Sequence, residues 1–94
     1  MGHINGKIAL ITGASSGIGE KTAGSLCEAG VRVICSGRRA RRLEAIAAKL
    51  DGDAITLDLD VTSERSVETL LDRLPREWRD IDILVNNAGH DIGG

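Results

Sequence analysis

Residues 7–19 read KIALITGASSGIG, an apolar run that passes directly into a glycine-rich stretch. The run from Lys7 to Thr12 is continuous rather than alternating, which is typical of a parallel strand buried on both faces of a sheet. The residues from Ile18 to Ala29 favour a helix, and Gly30 suits its C-terminal end. The stretch therefore predicts a strand, a tight turn and a helix in immediate succession.

Three further apolar stretches repeat the pattern of buried strands. They read VRVICS, AITLDLD and IDILVNN, at Val31–Ser36, Ala54–Asp60 and Ile81–Asn87. Strands that alternate with helices of about a dozen residues predict βαβ units and a parallel sheet. Since crossovers between parallel strands are right-handed, we expect the N-terminal part of a Rossmann-type doubly wound α/β fold, with the strand order 3-2-1-4. Residues 1–94 should form one half-domain, with a ligand crevice where strands 1 and 4 end.

Two more helices are predicted between these strands. The first spans Arg39–Leu50, and the second begins after Thr62 or Ser63, either of which can cap it, and ends at Pro75. In both, apolar residues recur at i, i+3, i+4 and i+7, so each helix should present one apolar stripe to the sheet. The two stripes are Leu43, Ile46, Ala47 and Leu50, and Val67, Leu70, Leu71 and Leu74.

The composition excludes several classes of protein. A net charge of −2 gives no basic field for nucleic acid, and no apolar run approaches the roughly 20 residues that cross a membrane. The start MGHING lacks the parts of a signal peptide, so we expect a cytoplasmic protein. Cys27 and Cys35 have neither disulfide-framework nor metal-ligand spacing and should be reduced thiols. His3 and His90 have no ligand partners nearby in sequence, so no metal site is predicted.

The glycine-rich stretch is the first candidate site. Gly13 can make the tight turn off the strand, Gly17 can let the backbone approach a pyrophosphate, and Gly19 can let the helix pack against the sheet. The pyrophosphate would face the free N–H groups at the helix N-terminus, and two serine hydroxyls could serve either the phosphate or the turn. A glycine-rich connection without a ligand is the alternative. The predicted contacts are Gly13, Ser15, Ser16, Gly17, Ile18 and Gly19.

The spacing Gly-x₃-Gly-x-Gly, together with NNAG at Asn86–Gly89, resembles the classical short-chain dehydrogenase/reductase family over essentially the whole chain. The segments GRRARRLEAIAAKL, LDV and LPREWRDIDILVNNAG are similar to its branch of NADP-dependent 3-hydroxy acid and serine dehydrogenases. This resemblance implies a Rossmann-type fold and an oxidoreductase that uses a nicotinamide cofactor.

The end of the second strand predicts which dinucleotide is bound. Proteins that prefer NAD usually carry an acid there for the ribose 2′-OH, but this chain has Gly37, followed by Arg38 and Arg39. Guanidinium groups bind a 2′-phosphate bidentately, and arginines at a helix N-terminus are unfavourable unless an anion is present. We therefore expect NADP as the cofactor, held by Arg38 and Arg39. Arg41 and Arg42 should point to solvent, and the alternative is a solvated basic helix start for all four.

The resemblance adds contacts at two other strand ends. It implies that the Asp60 side chain accepts a bond from the adenine amino group and that the Val61 amide meets the ring, although Asp60 could instead cap the next helix. At the end of the fourth strand it implies cofactor contacts from Asn87, Ala88 and Gly89, whereas Asn86 should be structural. A plain turn would also use Asn and Gly there.

The resemblance further implies a catalytic Tyr, a Lys four residues later and a Ser, all beyond Gly94, and the chain contains no tyrosine. No catalytic residue is therefore predicted here. We expect the cofactor-binding portion of a longer, homo-oligomeric NADP-dependent oxidoreductase whose small-molecule substrate is a hydroxy acid or an alcohol/ketone. The alternative is a stand-alone, non-catalytic nucleotide-binding module that needs a second chain.

Overall fold

The computed structural model describes residues 6–87. Within this range the chain alternates between strands and helices in the predicted order. The elements are β1 (Ile8–Thr12), α1 (Gly17–Glu28), β2 (Arg32–Gly37), α2 (Ala40–Lys49), β3 (Ala54–Asp58), α3 (Glu64–Glu68), α4 (Leu70–Arg73), a 3₁₀ helix (Arg76–Trp78) and β4 (Ile83–Asn86).

The four strands form one parallel sheet in the order β3-β2-β1-β4, which confirms the predicted fold class and topology. Leu10 in the middle of β1 pairs with Ile34 of β2 on one side and with Leu84 of β4 on the other. At the carboxyl end of the sheet, Thr12 lies opposite Asn86. The glycine turn after β1 and the end of β4 are therefore neighbours, as the predicted switch point requires.

One face of the sheet is covered by α1 and α2. Alternate strand residues, among them Ile11 and Val33, are completely buried against Ala23 of α1 and against Leu43 and Ile46 of α2. The apolar stripe predicted for α2 thus faces the core. Continuous apolar strands are explained by this cover together with a second cluster on the opposite face.

The prediction of one continuous helix between β3 and Pro75 is wrong, because this segment forms two short helices. Thr69 divides it into α3 and α4, and its hydroxyl donates to the Arg65 carbonyl at 2.9 Å. The Ser66 carbonyl, which a continuous helix would offer to the Leu70 N–H, accepts from Arg73 Nη2 at 2.9 Å. The Arg73 side chain thus takes the carbonyl that the helical ladder would use where it breaks, whereas the Thr69 N–H keeps its bond to the Arg65 carbonyl.

The predicted stripe on this helix is therefore only partly buried. Leu74 is 2% exposed and Leu70 packs at the margin of the second cluster, but Val67 is 51% exposed and Leu71 48% exposed. Exposed stripe residues lie on both sides of the break at Thr69, since Val67 belongs to α3 and Leu71 to α4. Leu74 and Trp78 provide the contacts that hold this segment against the sheet.

Arg32 links the 3₁₀ helix to the amino end of the sheet, which is opposite the end that carries the glycine turn. Its guanidinium lies 4.1 Å from the centroid of the Trp78 ring and donates to the Glu77 carbonyl at 3.0 Å. The Asp82 carboxylate accepts from the Ile8 N–H at 3.0 Å in the same region. A cation–π contact and two hydrogen bonds thus hold the start of β1 and β2 to the segment that leads into β4.

Cys27 and Cys35 are free thiols, as predicted. Burial raises the pKa of the Cys35 thiol to about 11. An unfolded cysteine ionises near pH 8.5, so the folded state binds this proton more tightly and loses stability as the pH rises through that interval. We expect the free energy of unfolding to fall by up to about 3 kcal/mol from this group between pH 8.5 and 11.

Urea unfolding at pH 8 and pH 10.5 measures this dependence on Cys35. The variant Cys35→Ala should be less stable throughout but show a shallower pH slope. Cys27→Ala is the comparison: burial also raises the pKa of this thiol, but Cys27 is only half-buried, so its removal should change the slope less than that of Cys35. Equal slopes for the unmutated protein and Cys35→Ala would contradict the assignment.

Candidate nucleotide-binding site

The glycine turn between β1 and α1 is held by its own backbone. Gly13 has φ +63°, a left-handed conformation that favours glycine, so the chain can turn sharply off the strand. The Gly13 carbonyl accepts from the Ser16 N–H at 3.1 Å and from the Ser16 hydroxyl at 2.9 Å. The turn therefore has a defined shape before any ligand enters.

Gly19 is required by the close approach of α1 to this turn. A Cβ at Gly19 would lie 2.5 Å from the Gly13 carbonyl oxygen and 2.8 Å from Ala14 Cα. Neither backbone atom can move independently of the turn. The packing role predicted for Gly19 is thus present, although the surface it packs against is the turn itself.

Ser16 is the N-cap of α1, and its hydroxyl accepts from the Gly19 N–H at 3.0 Å. The hydroxyl is therefore used by the turn, the second of the two roles considered for it. We expect Ser16→Ala to lower the free energy of unfolding by about 1 kcal/mol, the usual effect of losing a serine cap. Thermal or urea unfolding measures this loss, and an unchanged stability would show that the cap contributes nothing.

The N-terminus of α1 is open at the next two residues. Among residues 6–87, neither the Gly17 nor the Ile18 N–H has an acceptor, as the geometry of a first helical turn implies. A Cβ at Gly17 would meet no atom within 4 Å, and the Ile18 side chain is largely exposed. An anion can therefore approach these N–H groups, which also carry the positive end of the helix dipole.

The ends of β1 and β4 are joined by side chains. The Thr12 hydroxyl donates to Asn86 Oδ1 at 3.0 Å and accepts from the Asn87 N–H at 3.1 Å. Asn86 therefore joins the two strand ends through its side chain. Asn87 is 6% exposed, and in the described part of the chain its Nδ2 has no hydrogen-bond acceptor. The predicted contacts at Ala88 and Gly89 lie outside the described residues.

At the end of β2, Gly37 stands where an acid would bind a ribose 2′-OH. A Cβ there would make only ordinary contact, 3.7 Å from Leu43 Cδ2. Arg39 is the N-cap of α2, makes no side-chain capping bond, and no acidic residue lies in the first turn of that helix. Two arginines, Arg38 and Arg39, therefore stand at a helix start that has no internal negative charge.

The Asp60 carboxylate is turned back onto its own loop. Its Oδ1 accepts from the Thr62 N–H at 3.0 Å and from the Thr62 hydroxyl at 2.6 Å. These bonds, with a smaller contribution from the Arg38 charge, lower the pKa of Asp60. Asp60 thus braces its own loop and does not cap the next helix, the alternative considered for it, because Ser63 is the N-cap of α3. Strand β3 ends at Asp58 rather than Asp60, because the Asp60 N–H leaves the sheet and donates to Ser66 Oγ at 3.0 Å.

Arg42 is exposed, as predicted, but it also makes a contact that was not predicted. Its Nε donates to the Ser15 carbonyl at 2.8 Å, which links α2 to the glycine turn. Sequence reasoning missed this contact because a surface arginine in a first helical turn looks the same in sequence whether or not a carbonyl lies near it. The one available signal was topological, since α2 begins at the end of the strand beside β1.

These groups surround one cleft at the carboxyl end of the sheet, with a volume of about 960 Å³. We call it the carboxyl-end cleft. Its lining combines residues of the glycine turn and two arginines with apolar side chains of β1, β4, α3 and α4. It is lined by Leu10, Thr12, Gly13, Ser15, Ser16, Ser36, Gly37, Arg38, Arg39, Leu59, Val61, Thr62, Val67, Leu70, Leu84 and Asn86.

Of the predicted site residues, the cleft collects Gly13, Ser15, Ser16, Arg38, Arg39 and Val61. Gly17 and Ile18 begin the helix directly after Ser16, and Gly19 is buried beneath the turn. The Asn87 backbone is bonded to Thr12, which lines the cleft. Over residues 6–87, no group of three or more potential metal-ligating side chains is found. No helix of that range is long and apolar enough to span a membrane.

A parallel sheet in the order 3-2-1-4, with helical segments on both faces and a glycine turn at the switch point, defines a Rossmann-type α/β protein. The family model described as short chain dehydrogenase matches residues 7–94. The chain belongs to the short-chain dehydrogenase family.

Two bacterial dehydrogenases are among the proteins whose sequences are similar to this chain. The chain is 45% identical over 86 residues to an NADP-dependent 3-hydroxy acid dehydrogenase of Salmonella typhi, covering 92% of this chain and 35% of that protein. It is 51% identical over 84 residues to a serine 3-dehydrogenase of Agrobacterium fabrum, covering 89% of this chain and 34% of that protein. The chain thus spans about a third of the length of these relatives.

Solved structures of two similar proteins have the same fold as this chain. A closed form of serine dehydrogenase complexed with NADP+ superposes with a TM-score of 0.79 at 41% identity, over 85% of this chain and 32% of that one. The NADP active-site complex of Pseudomonas aeruginosa RhlG superposes with a TM-score of 0.81 at 40% identity, over 89% and 35% of the two chains.

Proposed function

We propose that this chain is the NADP(H)-binding portion of an oxidoreductase that interconverts a small hydroxy acid, or a similar alcohol, and its ketone. The observation that carries the proposal is one cleft whose lining includes the turn at the start of α1 and two arginines at the start of α2, and no carboxylate. The names of the relatives support both the cofactor and the substrate class.

The diphosphate would bind at the start of α1. The Gly17 and Ile18 N–H groups point out of the helix start, and the missing Cβ of Gly17 leaves space in front of them. Two backbone donors and the helix dipole suit a doubly charged diphosphate. The Ser16 hydroxyl keeps its capping role, so its contribution is to fix the turn.

The 2′-phosphate would bind at the start of α2. Arg38 and Arg39 line the cleft there, and no ion pair joins Arg38 to Asp60 among the described residues. A carboxylate at position 37 would repel the phosphate, but Gly37 has none. Two guanidinium groups and an uncapped helix start therefore support a preference for NADP over NAD.

The adenosine and nicotinamide ends would meet the other strand ends. Val61 is an exposed apolar side chain on the cleft wall and suits one face of the adenine ring. An Asp60 bond to the adenine amino group would use Oδ2, because Oδ1 is held by Thr62. Asn87, with Ala88 and Gly89, is proposed to border the ribose on the nicotinamide side.

When bound, the cofactor supplies the hydride for carbonyl reduction, or accepts it in the reverse reaction. The residues of this chain bind and orient the cofactor. Proton transfer to the substrate oxygen needs an acid, and the family's tyrosine is absent from these 94 residues. We propose that this acid belongs to a part of the whole protein that these residues do not include. The whole protein is further proposed to be cytoplasmic and homo-oligomeric.

The proposal is tested by titrating NADPH and NADH into the protein and following cofactor fluorescence. NADPH should bind with at least tenfold higher affinity. Equal affinities, or no binding of either, would remove the cofactor assignment. On the whole protein, cofactor oxidation over a panel of keto and hydroxy acids separates an enzyme from a non-catalytic module. Size-exclusion chromatography of the same protein tests its assembly.

A further inference from the structure

Arg42 is the third residue of α2 and contacts a residue 27 positions earlier in the chain. Its Nε donates to the Ser15 carbonyl at 2.8 Å, although the arginine itself is exposed. Burial does not force this contact, since an exposed guanidinium can be fully solvated. The bond therefore reflects a geometry in which the helix start and the glycine turn are held together.

The peptide bond between Ser15 and Ser16 is held from both sides by this contact. Its N–H, on Ser16, donates to the Gly13 carbonyl at 3.1 Å, and its carbonyl, on Ser15, accepts from Arg42. Because a peptide unit is planar, the two bonds together fix its orientation. Ser16 caps α1, and the open N–H groups of Gly17 and Ile18 follow directly.

We propose that Arg42 is a positioning residue for the diphosphate of the cofactor, acting through the Ser15 carbonyl on the direction of the Gly17 and Ile18 N–H groups. The inference rests on the proposed function and deepens it. Arg42 differs from Arg38 and Arg39 in its means of action, since those two line the cleft and it does not. It sets the diphosphate site, whereas they bind the 2′-phosphate.

The location of Arg42 in the first turn of α2 favours its bond to the Ser15 carbonyl. A cation in the first turn of a helix faces the positive end of the dipole, and the first turn of α2 contains no acid that could offset this. Bonding to a carbonyl of the neighbouring turn gives the guanidinium a partner at that unfavourable place. Arg41, its neighbour in the same turn, has no hydrogen-bond or ion-pair partner among the described residues.

The test compares three probes on the variant Arg42→Ala. NADPH and NADH both carry the diphosphate and should lose affinity by the same factor, about 3- to 10-fold, the effect of one hydrogen bond. 2′-AMP carries the 2′-phosphate without the diphosphate and should bind unchanged. Thermal unfolding should change little, because alanine is a strong helix former.

Arg41→Ala is the matched control, because it removes the same charge from the same helical turn without removing the bond to Ser15. It should leave both dinucleotide affinities within about twofold, as for a surface charge. Arg42→Lys retains a charge and a donor and should recover part of the affinity. A loss confined to NADPH and 2′-AMP would make Arg42 a 2′-phosphate ligand and overturn the proposal.

Two further outcomes also overturn the inference. Unchanged binding of all probes would show that the bond to Ser15 has no effect on the site, and parallel loss for all probes with a lower melting temperature would show a general structural role. If the unmutated protein binds neither dinucleotide, the proposed function itself fails, and this result is distinguishable because it appears before any substitution.

Discussion

Removing both guanidinium groups at the end of β2, in Arg38→Ala/Arg39→Ala, is expected to weaken NADPH binding by at least 100-fold while changing NADH binding less than threefold. Each charge-assisted contact to a phosphate contributes on the order of 1.5–3 kcal/mol, or about tenfold or more. NADH lacks the 2′-phosphate, so it loses little. Fluorescence titration of both cofactors measures the two affinities, and equal losses would contradict the assignment.

The single variant Gly37→Asp tests the same site from the opposite direction. The nearest atoms to an added Cβ are Leu43 Cδ2 at 3.7 Å, Leu43 Cδ1 at 3.9 Å and Ser15 Oγ at 4.0 Å, so the side chain can be accommodated. Its carboxylate should repel the 2′-phosphate and bond the 2′-OH of NADH. The ratio of the two affinities is expected to fall by at least tenfold. Arg41→Ala is the control for loss of positive charge alone.

A second large effect is expected at Gly19. In Gly19→Ala the added Cβ would lie 2.5 Å from the Gly13 carbonyl oxygen, so the helix or the turn must shift. We expect a loss of about 1–3 kcal/mol in the free energy of unfolding, the range for overpacking, and at least a tenfold loss of cofactor affinity because the turn moves. Urea unfolding and fluorescence titration measure the two effects.

Two other glycines of the same helix serve as matched controls. Gly17→Ala and Gly24→Ala each place a Cβ where no atom lies within 4 Å. Both should keep or raise stability, since alanine favours the helix. Only Gly17→Ala should reduce cofactor affinity, because its methyl group would lie before the open N–H groups. Normal cofactor binding by Gly17→Ala would exclude the diphosphate from this turn.

Strand order and layer arrangement were predictable because they depend on patterns that are local in sequence. Continuous apolar runs marked the buried strands, and right-handed crossovers then left few topologies. The break at Thr69 was not predictable in this way. Apolar spacing from Val67 to Leu74 fits one helix, but the bond from the Arg73 side chain to the Ser66 carbonyl competes with it.

In the candidate site, too, some features were predictable from local sequence patterns and others were not. Gly13 and Gly19 were predictable from the spacing of the turn, because glycine is needed wherever the backbone bends sharply or approaches closely. The bonds of Asp60 to Thr62 and of Arg42 to Ser15 were not fixed by residue type. Such contacts depend on how far apart two elements lie after packing, and charge patterns in the sequence do not contain that distance.

The cation–π contact between Arg32 and Trp78 bears on how the cofactor preference of this protein could be changed by substitution. Arg32 is the first residue of β2 and Gly37 the last, so Arg32 lies about 16 Å from the end of the same strand at which the cofactor is proposed to bind. Substitutions more than about 10 Å apart usually have additive effects on stability. Substitutions that stabilise the amino end of the sheet can therefore offset the loss of folding stability caused by substitutions that change the cofactor preference. They should leave that preference itself unchanged.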